Sequence, residues 1–296
     1  MFGIPGTKKT QKPPGLNRMT LMSIVIILGM AYLVAIVNNA NTPAEVEGLE
    51  IHFIDVGQGD CILALAGTSA LLIDGGESDQ AQKVMEYLKQ KRIGKLDYVI
   101  ATNQNSRYIG ALPAILETFE AGVIIMPGAI HTTEAYETLL QAVSGKGSKT
   151  NPPEPGTAYL LGDAVVEIIG CFNGDDLGDF STVVRLTYGD TAFLFMSGAG
   201  KQAEADMLGS GRKISAKLIK LGRHGAGTAT SEAFIEAAAP DGVVITAGAD
   251  NDDGCPDESV LSILSQAGIK VFRTDLNGSI IVRTDGEKVE AATERQ

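Results

Sequence analysis

Polar residues follow apolar runs at six places in this 296-residue chain, and these are the places where chemistry would sit. They are residues 55–60 (Asp-Val-Gly-Gln-Gly-Asp), 74–76 (Asp-Gly-Gly), 103–108, 196–199 (Met-Ser-Gly-Ala), 222–225 (Gly-Arg-His-Gly) and 248–255. In mixed α/β sheets, functional groups gather at the C-terminal ends of strands. The central stretch, Asn103-Gln104-Asn105-Ser106-Arg107-Tyr108, offers no imidazole, thiolate or carboxylate. Zinc takes donors of those kinds. A side-chain amide is a neutral, weak donor, and a guanidinium has no lone pair to give. This loop cannot hold a catalytic metal ion. Other strand ends offer the imidazole of His224 and the thiol of Cys255. The acids Asp60 and Asp74 are expected to hydrogen-bond loop amides.

Other polar residues carry less. His52 falls inside a strand pattern and is expected at the surface or in packing, and His131 opens a helix with no ligand partner near it in sequence. Residues 250–253 form an acidic loop, expected to be solvated, with weak calcium binding the lesser option. It misses calcium-loop spacing, because Val260 stands where a bidentate Glu is needed. Gly57-x-Gly59 leads into a strand rather than a helix, so it is no dinucleotide fingerprint. No Ser-His-Asp or Cys-His arrangement stands out, although Cys255 and His224 can meet in a cleft.

The elements that must position these stretches follow from periodicity. Strands are expected at 49–56, 61–66, 69–73, 96–102, 122–126, 164–169, 182–188, 191–195, 216–221, 242–247 and 270–273, with a hairpin at 278–283. Helices are expected at 78–91, 109–119, 133–143, 201–208, 231–239 and 257–267, and residues 145–156 read as a Gly/Pro-rich loop. Two halves of like content suggest two sheets sandwiched between outer helices.

Residues 19–37 are uncharged and apolar. As a helix they would span roughly 28 Å, close to the thickness of a bilayer's hydrocarbon core. Lys8, Lys9, Lys12 and Arg18 precede the run; Glu45, Glu47 and Glu50 follow it. The positive-inside rule then expects a cytoplasmic tail at 1–18, a single membrane span at 19–37 acting as a retained signal anchor, a linker at 38–48 and an extracytoplasmic domain at 49–296; a cleaved signal peptide, with Ala40 a poor cleavage site, and a buried core helix are the alternatives. With the bases concentrated in the tail, the remainder is more acidic than the chain's net charge of −12. Such a surface disfavours broad nucleic-acid binding. Three cysteines, Cys61, Cys171 and Cys255, exclude a disulfide scaffold.

Several strings occur together in order: HFIDVGQGD, LLIDGG, LDYVIAT before a six-residue loop and Ile-Gly, TYGDTAFLF, LIKLGRHG and GIKVFRTDLNGSIIV. Over residues 49–288 the chain resembles the metallo-β-lactamase-like domain of ComEC/Rec2-type competence proteins. The resemblance implies an αββα four-layered sandwich and descent from a hydrolase with two divalent metals, typically zinc, acting on phosphodiesters or similar esters. It also marks where the ligands would stand. The family's His-x-His-x-Asp-His falls on Asn103, Asn105, Arg107 and Tyr108. Its bridging Asp falls on Gly198, its His-His-Gly on Arg223-His224-Gly225, and its Gly-His-Pro on Gly254-Cys255-Pro256.

With those ligands gone, no cofactor is expected, and the chain reads as a membrane-anchored pseudoenzyme that binds a small anion or a protein partner. An active hydrolase, or an accessory of DNA uptake, is the alternative. With one membrane segment, a transport pore is not expected. Two fates are open for Arg107 and Arg223. With His224 they can replace the lost metal charge and bind an anionic group, or they can pair with Asp60 and Asp74.

Overall fold

Alternation between polar and apolar residues becomes strand pairing across most of the chain in the computed structural model, which describes residues 18–40, 45–128, 133–172 and 181–295. Among the described residues, the strands are β1 (Val46–Phe53), β2 (Ile62–Gly67), β3 (Ser69–Ile73), β4 (Lys95–Ile100), β5 (Glu120–Ile125), β6 (Lys149–Asn151), β7 (Ala158–Leu161), β8 (Ala164–Phe172), β9 (Ser181–Tyr188), β10 (Thr191–Phe195), β11 (Leu218–Lys220), β12 (Gly242–Ile245), β13 (Lys270–Arg273), β14 (Ile280–Thr284) and β15 (Val289–Thr293). They form two sheets, in the orders β15-β14-β1-β2-β3-β4-β5-β6 and β13-β12-β11-β10-β9-β8-β7.

Three apolar clusters define the layers. Leu49, Ile51 and Phe53 on β1 meet Val166, Leu186 and Phe193 from the other sheet, filling the space between sheets. The opposite face of the first sheet packs Leu63, Leu72 and Val99 against Val84, Leu88, Ile115 and Leu139 from its covering helices. The far face of the second packs Leu194, Ile219 and Val243 against Met207, Phe234 and Leu264. The order is therefore helix, sheet, sheet, helix, as expected. His52 points away from the inter-sheet core, where Nδ1 meets Tyr87 Oη at 3.0 Å and Nε2 lies 3.1 Å from Glu50 Oε2. It is a packing residue, and burial followed by the charge of Lys91 lowers its pKa to about 4.

Within each sheet a run of parallel strands, β3-β4-β5-β6 and β10-β11-β12-β13, brings C-terminal ends to one edge. The two edges are joined: Thr182 N donates to Thr102 O at 2.8 Å, and Gly248 N to Gln58 Oε1 at 2.8 Å.

Several boundaries differ from expectation. β1 begins at Val46, so the expected linker 38–48 is entered from one side by a strand and from the other by a helix ending at Ala40. Residues 145–156, expected as a loop, contain β6, and β7 was not anticipated. The helix expected at 78–91 opens with a 3-10 turn, Ser78–Gln80, before Ala81–Gln90, and the one at 109–119 divides into Ser106–Ile109 and Leu112–Thr118. His131 lies outside the described residues.

The chain separates into two units, Met1–Asn41 and Thr42–Gln296. The first holds the helix Arg18–Ala40, whose described side chains from Met22 to Leu33 are exposed. Among the described residues, no helix is long and apolar enough to cross a membrane.

Candidate functional site

The 103–108 loop is tied down by its own amides. Asn103 Oδ1 accepts from Asn105 N at 2.9 Å, and its Nδ2 donates to Ser181 Oγ at 3.3 Å. Asn105 caps the short helix Ser106–Ile109, its Oδ1 accepting from Arg107 N at 3.0 Å. Both asparagines thus serve as turn and cap residues where the resemblance places imidazoles. The loop packs so closely on residues 57–60 that a Cβ at Gly59 would meet Arg107 O at 2.5 Å. The turn carrying Arg223 and His224 is equally constrained. Both residues are left-handed, at φ 49° and 55°, and a Cβ at Gly222 would meet Ala199 O at 2.1 Å.

Around a cavity of about 240 Å³ the fold gathers Asn105, Arg107, Tyr108, Arg223, His224 and Cys255. Asp253 joins them from the acidic loop. Asn103, Gly198, Asp60 and Asp74 do not line it. A larger hollow of about 490 Å³ touches Asn105 too, but it is walled by Ser78, Ser106, Thr133 and Glu134 and gathers none of the other candidate positions.

The arginines do not pair with Asp60 and Asp74, so that expectation is corrected. Arg107 Nη1 and Nη2 both donate to the Asp253 carboxylate, and Nε lies 3.8 Å from Glu77 Oε1. The hydrogen bond from Arg107 holds the Asp253 carboxyl below the usual carboxylate range. Arg223 Nε donates to Gly198 O at 3.1 Å, and its Nη1 to Thr228 Oγ1 at 3.4 Å. The acidic loop is therefore not merely solvated: Asp253 also accepts from Gln58 Nε2 at 2.9 Å.

Asp60 has another partner, Lys220, and both side chains are fully buried. Asp60 also accepts from Thr246 Oγ1 at 2.6 Å, so side chains hold it rather than the loop amides expected. Lys220 went unremarked in the sequence, although a lysine inside the apolar string LIKLG on a central strand is a signal in its own right, since buried lysines need a partner. Asp74 accepts from Thr102 N at 2.8 Å, and its Oδ2 lies 2.6 Å from Thr102 Oγ1, which sits 2.5 Å from Ser197 Oγ. Burial, then the neighbouring charge of Asp60, raises the Asp74 pKa to about 8. The buried centre thus holds one lysine cation, its paired carboxylate and a second carboxyl that keeps its proton at neutral pH.

His224 stacks on Tyr108, with ring centroids 5.6 Å apart. Its Nδ1 meets Thr246 O at 2.8 Å. A carbonyl can only accept, so Nδ1 carries the proton and Nε2 presents a lone pair. Nε2 is buried and has no hydrogen-bond partner among the described residues. Burial lowers the His224 pKa despite the attraction of Asp60. Burial likewise raises the Tyr108 phenol and the Cys255 thiol, keeping both protonated.

These residues do not fit a dinuclear metal centre. Among the described residues, no three His, Cys, Asp or Glu side chains come together in the manner of a metal site. More tellingly, the positions that the resemblance assigns to ligands include Arg107 and Arg223, whose guanidiniums have no lone pair to give and would repel a divalent ion.

The sequence pattern of the Metallo-beta-lactamase superfamily matches residues 54–210. Three curated relatives are competence or recombination proteins. "ComE operon protein 3" of Bacillus subtilis (strain 168) is 26% identical over 254 residues, covering 79% of this chain and 33% of that protein. "Competence protein ComA" of Neisseria gonorrhoeae is 26% identical over 233 residues, covering 76% and 31%. "Recombination protein 2" of Haemophilus influenzae is 23% identical over 248 residues, covering 81% and 29%. The chain spans about a third of the length of these relatives. Among solved structures, the metallo-beta-lactamase fold protein YhfI from Bacillus subtilis superposes with a TM-score of 0.53 at 12% identity, covering 83% of this chain and all of that one. The CmlA beta-hydroxylase E377D mutant gives 0.57 at 13% identity, covering 81% and 55%. At such identities the likeness concerns the fold.

Proposed function

The chain belongs to the metallo-beta-lactamase superfamily and is related to ComEC/Rec2-type competence proteins, and from that premise we propose that its domain is a non-catalytic binding module. The observation that carries this reading is the cavity lined by Arg107, Arg223 and His224, with Asp60, the buried partner of Lys220, 3.5 Å from His224 Nδ1. Fixed side-chain cations supply the positive charge that a metallohydrolase takes from its ions. A lysine or arginine binds and orients an anion, but it does not bring a water pKa down to near 7 as a zinc ion does. The cavity is smaller than the roughly 300–1,000 Å³ of pockets for drug-sized molecules, which favours a small anionic ligand.

The proposal places the domain outside the cell, tethered by the helix Arg18–Ala40, and in the setting of the competence apparatus for which its relatives are named. Support for the tether is the uncharged run 19–37 with bases before it and acids after it. Retention of the full chain in carbonate-washed membranes, with the C-terminal domain open to external protease, is the expected result; release by carbonate alone would remove the anchor. For the non-catalytic reading, the purified full chain is assayed on a generic phosphodiester with and without zinc or manganese. No turnover above buffer is expected, and metal-dependent turnover abolished by His224→Ala would overturn it.

A further inference from the structure

Two residues that line the cavity together specify a ligand. The first is His224 Nε2, a buried acceptor with no partner among the described residues. Its Nδ1–H is committed to Thr246 O, so the ring cannot change roles without giving up that bond. A buried acceptor left without a donor is unfavourable. Whatever occupies the cavity is therefore favoured if it brings an O–H or N–H to Nε2. The second feature is Arg107, whose guanidinium grips a carboxylate with two nitrogens, the geometry by which arginine also grips phosphate. That carboxylate belongs to the chain itself. Arg107 and Asp253 are 38% and 34% exposed, and an exposed pair of this kind contributes little to stability, so it can exchange.

A carboxylate ligand satisfies Arg107 but has no proton for Nε2. Sulfate and a phosphodiester, both fully deprotonated, have the same defect. A phosphate group that keeps one P–O–H satisfies both sites: its charged oxygens replace the Asp253 carboxylate on Arg107, and its hydroxyl donates to Nε2. Nε2 is covered in this structure, and Asp253 and Cys255 form a wall of the same cavity. Release of Asp253 therefore frees the arginine beside His224.

Building on the anion-binding reading above, we propose that the cavity recognises a protonated phosphate, either inorganic phosphate or a phosphomonoester monoanion, and that Asp253 is an internal competitor which the ligand displaces from Arg107. The acidic loop thereby sets a threshold: the site fills when phosphate outcompetes the tethered carboxylate.

Titration calorimetry of the full chain in detergent, with inorganic phosphate and with sulfate at matched ionic strength near pH 7, tests this. Inorganic phosphate keeps one P–O–H at that pH, and sulfate keeps none. Phosphate is expected to bind about tenfold or more tightly than sulfate, the scale of one hydrogen bond to a buried acceptor. Asp253→Asn is expected to tighten phosphate binding roughly two- to fivefold, the scale of an exposed ion pair. Gln58→Ala, which removes the other donor to Asp253, is expected to move affinity in the same direction. His224→Phe is expected to abolish the preference for phosphate while leaving weak anion binding. Equal affinity for phosphate and sulfate, or unchanged affinity in both Asp253→Asn and Gln58→Ala, overturns this inference and leaves anion binding standing. No binding of either anion by the wild type and by Asp253→Asn overturns the anion-binding reading as well.

Discussion

Replacing Lys220 by methionine removes the only ammonium that Asp60 touches among the described residues. Both side chains are buried to 1% exposure or less, so solvent cannot compensate. Truncating one member of such a pair typically costs about 3–5 kcal/mol, because the other charge is stranded. The Thr246 hydroxyl still donates to Asp60 and softens the loss. A destabilisation of about 3 kcal/mol is therefore expected. The double variant Asp60→Asn/Lys220→Met leaves no stranded charge and should lose less than Lys220→Met alone, a coupling of about 2 kcal/mol. The chain has no tryptophan, so urea unfolding is followed by far-ultraviolet circular dichroism at fixed detergent. A loss below about 1 kcal/mol in Lys220→Met, or a double variant no more stable than the single, would refute the assignment of Lys220 as the charge that holds the centre together.

Asp74 predicts a pH dependence of opposite sign to the usual carboxylate. Its folded pKa of about 8 lies above the unfolded value, so its contribution is full below about pH 4 and declines as pH rises toward 8. The decline approaches 1.4 kcal/mol per pH unit; Asp74→Asn should flatten this part of a pH series of unfolding curves, and an unchanged slope would count against a protonated Asp74. Gly222→Ala places a Cβ at 2.1 Å from Ala199 O, so the turn bearing Arg223 and His224 must shift. A loss of about 2 kcal/mol or more is expected in the same unfolding assay, and a neutral result would show the turn to be less constrained.

Much of the candidate site was legible because it lies in strings with strong local logic. Residues 103–108 follow an apolar strand, and an Asn at 105 is both a poor metal ligand and a good helix cap. One cavity collects Arg107, Arg223, His224 and Cys255. The pairings were not legible, because they depend on contacts across large separations in sequence. Lys220 reaches Asp60 across 160 positions, and Arg107 reaches Asp253 across 146. Charge type alone made the arginines the natural partners of the buried acids; depth decides otherwise, since Lys220 sits on a fully buried strand while Arg107 opens to solvent. Fold errors have equally local causes. β7 was missed because Ala158 and Leu160 are exposed and the strand follows a Pro- and Gly-rich stretch. β1 starts three residues early because Gly48 interrupts the alternation, at a φ of 76° beside Thr284.

The most direct test of the central claim, that side-chain cations have taken the place of catalytic metal, is the metal content of the purified full chain after incubation with excess zinc or manganese and removal of free ions. The account predicts far less than one ion per chain, unchanged in His224→Ala. Stoichiometric metal that His224→Ala abolishes would contradict it.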